Sequence, residues 1–278
     1  MIRLWQEQKP KILLLAALAA CLIISHFADQ INPYYYTIII YIGVNLILAS
    51  SLNLINGFAG QFSLGHAGFM AIGGYTAAYL TYLWQAQPGT LSGNILFLAA
   101  LLIAGLVAAV FGILVGIPSL RLKGDYLAIV TLGFGEIIRV IIQSMDFLGG
   151  ARGFTGIPKI TNFAWVFCIG AILIFTITNL VRSTYGKGFL AVADDEISAE
   201  AMGINSTYYK VVAFVTGAFF AGVAGGLYAH FVTYINPSQF GFVKSIELVV
   251  MVILGGMGNT AGVILAAALT DALRNKLL

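Results

Sequence analysis

The chain has 278 residues, of which 60% are hydrophobic and 9% charged, with 14 Lys and Arg against 11 Asp and Glu. An average soluble domain carries about 25% charged residues. So few charges cannot clothe a soluble globule, which excludes a soluble enzyme, a secreted disulfide scaffold, a disordered region and a coiled coil. The bilayer is the expected solvent, and a span then needs about 20 apolar residues. In chain order the candidate spans are Ile12–Ala28, Tyr35–Ile55, a glycine-interrupted stretch between Gly57 and Trp84, and Leu91–Ile117. Tyr126–Leu148, Phe163–Val181, Val211–Ile235 and Ile246–Thr270 follow, the last broken at Gly255, Gly256, Gly258 and Gly262. The basic start could open a signal peptide, but spans continue at once and no cleavage site precedes a polar mature domain.

The expected fold is therefore all-α: a polytopic integral membrane protein of about eight transmembrane helices with glycine-broken segments, forming one domain over residues 1–278. No loop is long enough to fold alone. Eight single crossings put Arg3, Lys9, Lys11, Arg121, Lys123, Arg182, Lys187, Lys210, Arg274 and Lys276 on one side and only Arg152, Lys159 and Lys244 on the other. Positively charged loops stay in the cytoplasm, so both termini are expected there. If the last region folds back, Arg274 and Lys276 change sides without reversing the bias.

Cys21 and Cys168 sit in apolar runs and read as small hydrophobes. His26, His66 and His230 lack ligand spacing, so no metal is expected. No cofactor and no nucleic acid are expected either. There is no phosphate-binding G-x-x-x-x-G-K-[ST] loop, since Gly186-Lys187 is followed by Gly188. No voltage-sensor arginine ladder and no nucleophile elbow occur.

Gly57–Gly74 carries six glycines with Gln61, Ser63 and His66 between apolar residues. Irregular backbone at membrane depth survives only inside protein or against a water-filled cavity. Broken helices also expose dipoles that can hold an ion or zwitterion. Gly60, Gln61, Ser63 and His66 are thus candidate pathway residues, against the alternative of tight helix packing. Leu254–Gly262 is a second break. Gly112/Gly116 and Gly222/Gly226 have the spacing of ordinary helix packing. Glu136 and Arg139, at i and i+3, share a helix face and are expected to pair, with substrate contact as the second reading.

The polar stretch Arg182–Lys210 contains Ala193-Asp-Asp-Glu-Ile-Ser-Ala-Glu-Ala-Met-Gly-Ile-Asn205. It reads as one short amphipathic helix, with acids at its positive end and Gly203 at its close. An acidic helix is poorly suited to an anionic lipid surface, so docking on a soluble partner is the expected role.

Several stretches taken together resemble the permease subunits of bacterial branched-chain amino acid ABC importers. They are Gly57–Gly74, Tyr126–Arg139 with Gly149–Pro158, Asp194–Asn205, Ala218–Tyr228 and Glu247–Gly258. The resemblance covers most of the chain from about Leu46, and Tyr126–Arg139 favours the M-type subunit over its H-type partner. It implies a half-channel in the bacterial inner membrane, paired with a second, H-type permease. Two cytoplasmic ABC ATPases and a periplasmic or lipid-anchored substrate-binding protein complete the assembly. The segment within about 182–210 would then be the coupling loop, with Asp194, Asp195, Glu196, Ala199, Glu200, Ala201 and Gly203 as ATPase-docking residues. It departs from the Glu-Ala-Ala loop of other importers in glycine spacing and lacks a following Leu-Pro. Family members usually continue through one more apolar helix, so a C-terminal helix is expected to be missing. ATP-driven alternating access for branched-chain amino acids is the expected mechanism. A urea or short-amide ABC permease, a stand-alone secondary transporter and a purely structural subunit remain alternatives.

Overall fold

The computed structural model describes residues 14–25, 32–119, 122 and 124–277. The candidate span end at Ala28 and the charges at Arg3, Lys9, Lys11, Arg121 and Lys123 lie outside the described residues, as does His26.

The described residues are mostly helical, with a single isolated bridge between Phe154 and Ile235. In order they form α1 (Leu14–Ser25), α2 (Pro33–Asn53), α3 (His66–Leu83), α4 (Leu91–Ser119), α5 (Asp125–Gln143) and α6 (Phe163–Arg182). Then come α7 (Gly186–Asp194), α8 (Glu196–Ala201), α9 (Ser206–Val232), α10 (Phe242–Gly255) and α11 (Thr260–Leu277). Five segments are long and apolar enough to cross a bilayer, and a sixth joins them if α5 is counted with the turns after it, bent by 87°. Asparagine starts three of the helices. Asn32, Asn162 and Asn205 accept from Tyr34, Trp165 and Tyr208 N–H and so satisfy donors with no intrahelical partner.

The centre is a triad of α3, α4 and α9. Small residues let these backbones approach: Gly73 faces Gly222, Gly74 faces Gly225, and Gly112 faces Ala218. A Cβ on Gly73 would fall within the Gly222 backbone. Packing is therefore what Gly112 and the Gly222/Gly226 pair do. Helix α3 is buried along most of its length. Its Gly, Thr and Tyr content makes it a poor lipid-facing helix, and its neighbours shield it instead.

Two expectations change. The stretch from Gly57 does not begin a span. A π-helical turn, Leu54–Phe58, ends α2, an irregular segment follows, and α3 starts only at His66. The last apolar region does not cross once either. It folds back at Gly256 and Gly258, whose φ values of +84° and +81° suit glycine. Gly255 then packs against Gly262 and Val263. Arg274 near the end of α11 reaches Glu247 near the start of α10, so the two helices run antiparallel. Arg274 consequently lies away from the Arg182–Lys210 loop, where the one-crossing count had grouped it. Hydropathy could not reveal this, because it measures how apolar a segment is and not which way it runs.

Candidate functional site

The glycine-rich break meets the polar loop directly. Gly60 has φ +63°, and a Cβ there would lie 2.9 Å from Ala193 Cα, the penultimate residue of α7. The expected single helix over Ala193–Asn205 is instead two helices. Asp195 is extended (φ −155°, ψ 108°) and breaks them apart. Its carboxylate caps α8, accepting from Ile197 N–H at 2.9 Å and Ser198 N–H at 3.1 Å. An aspartate at this position is stabilising through both the bond and the helix dipole.

Two contacts fasten the loop to α9. Lys210 Nζ donates to Glu196 Oε1 at 2.6 Å, and Ser206 Oγ donates to Glu200 Oε1. Ala199 is buried beneath α8, while Asp194 and Ala201 are exposed. Gly203 ends the turn at φ +84°. Ile197 and Met202 stand out, 73% and 84% exposed. Together they form a two-residue apolar tip on a capped turn.

Of the candidate pathway residues, Gln61, Ser63 and His66 are buried inside the protein. His66 Nε2 lies 2.9 Å from Ser51 Oγ, whose hydroxyl donates to Leu48 O. Nε2 is then the donor and Nδ1 an acceptor. That Nδ1 has no partner, and neither do Ser50 Oγ, Asn53 Nδ2, Ser63 Oγ or either amide atom of Gln61. Apart from Thr161, every such buried orphan among the described side chains falls in residues 50–66. Buried polar groups are ordinarily satisfied, so this segment is polar beyond what its own fold uses. Asn53 also ties the two breaks together, accepting from Gly258 N–H at 2.9 Å.

Glu136 and Arg139 pair at 2.7 Å. The second oxygen of Glu136 accepts Phe242 N–H at 3.0 Å, at the first residue of α10. The pair therefore anchors the start of the hairpin.

None of these six residues lines the cavity beside the α10–α11 hairpin. That cavity, of about 460 Å³, is within the range of small-molecule sites. It lies between α2, α3, α9, α10 and α11 and is bounded by Ser238 and Gln239 at the end away from the polar loop. Its polar wall is a chain of bonds. Lys244 Nζ donates to Asn45 Oδ1 at 2.8 Å, and Asn45 Nδ2 donates to Asp271 Oδ1 and Oδ2 at 2.9 and 2.8 Å. Glu247 accepts from Lys244 at 3.3 Å and from Arg274 at 2.8 Å. The signal for this site was present in the sequence, as Glu247 and Asp271 are charges inside an apolar region. Its assembly was not visible, since Asn45 and Asp271 lie 226 positions apart.

Residues 34–276 match the family model described as branched-chain amino acid transport system / permease component. The chain is 36% identical over 261 residues to the high-affinity branched-chain amino acid transport system permease protein LivM of Salmonella typhimurium, covering 81% of this chain and 59% of that one. It is 27% identical to a probable branched-chain amino acid transport permease protein LivM of Methanocaldococcus jannaschii, covering 82% and 76%. Identity to the corresponding protein LivH of Escherichia coli K12 is 23%, covering 78% and 76%. The chain thus spans only 59% of the length of the Salmonella relative.

Proposed function

Because the chain belongs to the family of branched-chain amino acid transport permeases, we propose that it is the M-type membrane-spanning subunit of an ABC importer for branched-chain amino acids. It works in the bacterial inner membrane, with an H-type permease, two ABC ATPases and a substrate-binding protein. The Arg182–Lys210 loop is cytoplasmic, in keeping with its basic residues. ATP hydrolysis belongs to the partner subunits.

One observation carries this reading: the apposition of Ala193 in the polar loop to Gly60 in the α2–α3 break. A partner that grips the exposed Ile197 and Met202 pulls on α8. Glu196 and Glu200 hold α8 to α9, and Asp195, between α7 and α8, caps the start of α8. The movement reaches Gly60 through van der Waals contact, and from there the polar segment holding Gln61 and His66. That segment is tied to the α10–α11 turn by Asn53. Two discrete packings of these joined breaks would open the cavity alternately to the two sides.

The test is co-expression with candidate ATPases and the second permease, purification in mild detergent and reconstitution in liposomes. Recovery of an assembly with leucine-stimulated ATPase activity and ATP-dependent leucine uptake supports the importer. A chain that purifies alone and moves leucine without ATP overturns it in favour of a secondary transporter. Urea-stimulated activity in place of leucine would move the substrate to short amides.

A further inference from the structure

We propose that the cavity between α2 and the α10–α11 hairpin is a binding site, within this subunit, for an aliphatic α-amino acid in its zwitterionic form. The inference rests on the importer reading above and adds the atoms that recognise the solute.

Four charged side chains surround the cavity, two of each sign: Lys244, Arg274, Glu247 and Asp271. Charges at membrane depth are expensive and persist where they pair or serve a pathway. Pairing alone leaves donors over. Lys244 Nζ gives two of its three N–H groups to Asn45 and Glu247. The Arg274 guanidinium gives one bond, through Nη1, to Glu247. The hydroxyls of Tyr41 and Tyr228, also on the wall, have no hydrogen-bond partner among the described residues. These are the requirements for holding a carboxylate. Asp271 supplies the complementary charge. It is only 2% exposed, and both its oxygens are oriented by the Asn45 amide.

Asn45 thus stands between the two poles, with its oxygen toward Lys244 and its nitrogen toward Asp271. It holds cation and anion apart by the width of one amide, so a bound zwitterion can address both. Beside Ser238 and Gln239, the remaining wall holds Val44, Met70 and Val243, which offer a surface to a branched aliphatic side chain. A ligand carrying one charge would engage one pole of the cavity only and forgo the second charged contact. That loss is the basis for rejecting single-charge analogues.

The experiment measures binding of radiolabelled leucine to the assembled membrane complex in nanodiscs, without the substrate-binding protein. Competitors are 4-methyl-2-oxopentanoate, which lacks the ammonium group, and 3-methylbutylamine, which lacks the carboxylate. Each is expected to compete at least about tenfold more weakly than leucine, the scale of one charged hydrogen bond. Asp271→Asn and Lys244→Met are expected to weaken leucine binding by at least about tenfold. Val44→Phe fills the cavity without touching a charge and is expected to abolish binding in a complex that still elutes as one species. Leucine binding unchanged in Val44→Phe, or equal competition by the one-charge analogues, overturns the site. ATP-dependent leucine uptake with unchanged KM in all three variants also overturns it, while leaving the importer intact. A wild-type complex that takes up urea and ignores leucine overturns the importer reading itself.

Discussion

Gly60 lies against Ala193 with no room between them for a methyl group. One belongs to the break that ends α2 and the other to α7 in the polar loop, 133 positions later. The positive φ of Gly60 adds a second constraint, because a left-handed conformation costs a non-glycine residue about 1–2 kcal/mol. Gly60→Ala should lower leucine uptake at least about fivefold while the complex still assembles, the loss lying in coupling and not in folding. Gly133→Ala is the control. It sits in α5 with open space beside it, and alanine there should be neutral or stabilising by up to about 1 kcal/mol. Parallel uptake and ATPase assays on the two variants check this. Equal behaviour would detach the break from the loop.

The polar loop should act as a rigid lever. Its Glu196–Lys210 pair is largely shielded from solvent. A double-mutant cycle with Glu196→Gln and Lys210→Met should return a coupling energy of about 1 kcal/mol or more, above the usual value for exposed pairs. The readout is thermal unfolding of the detergent-solubilised complex. Additive losses would mean that the pair contributes nothing.

The exposed tip should carry affinity for the ATPase. Ile197→Asp and Met202→Asp each put a charge on a residue that touches little of its own chain. Chain stability should change by less than about 0.5 kcal/mol. ATPase recovered in co-purification should fall at least about tenfold, as expected for an apolar anchor. Normal recovery with both substitutions present would move the docking surface elsewhere.

The central triad should be intolerant of size. Gly73→Val would push a branched side chain into the Gly222 backbone, where nothing flexible can yield. Overpacking of this kind costs about 1–3 kcal/mol or more. Monodisperse protein should largely disappear on size-exclusion chromatography. Gly73→Ala should show an intermediate loss.

Asn53 should behave as a tether between the two breaks. Asn53→Ala removes the acceptor for Gly258 N–H and leaves a donor unpaired, at a cost of about 1–3 kcal/mol. Hydrogen exchange at residues 256–260 should quicken, with α4 unchanged. Unaltered exchange there would show that the turn holds without it.

The regular spans were readable from composition. Leu91–Ile117 and Phe163–Val181 were placed within two residues of α4 and α6, because each is a long apolar run bounded by polar residues. The Glu136–Arg139 pairing followed from helical spacing alone. What escaped depends on the path of the chain. Asp195 splits the loop helix because its side chain prefers the backbone N–H groups ahead of it to continued helix, and acidic residues near a helix start read the same either way. Lys244 looked like a loop charge, and Asp271 like the end of a span. Only the fold-back at Gly256 and Gly258 brings them together beside Asn45.

The hairpin also sets conditions on how the protein is made. At about 1.5 Å per residue, the 14 residues of α10 and the 18 of α11 reach about 21 and 27 Å. Helix α11 falls short of a hydrocarbon layer about 30 Å thick, whereas α10 becomes long and apolar enough to cross once the turn from Pro237 is counted with it. Helix α10 emerges from the ribosome first, carrying Glu247 and Lys244, and Arg274 follows 27 positions behind Glu247. Helix α11 is the poorer independent client of the insertion machinery, being absent from the segments long and apolar enough to cross. Its Arg274 and Asp271 find their partners only when it packs back on α10 and α2, which offer Glu247 and Asn45. The charged wall is therefore completed only when nearly the whole described chain has been synthesised, and an intermediate stalled before α11 leaves Glu247 with Lys244 but without Arg274.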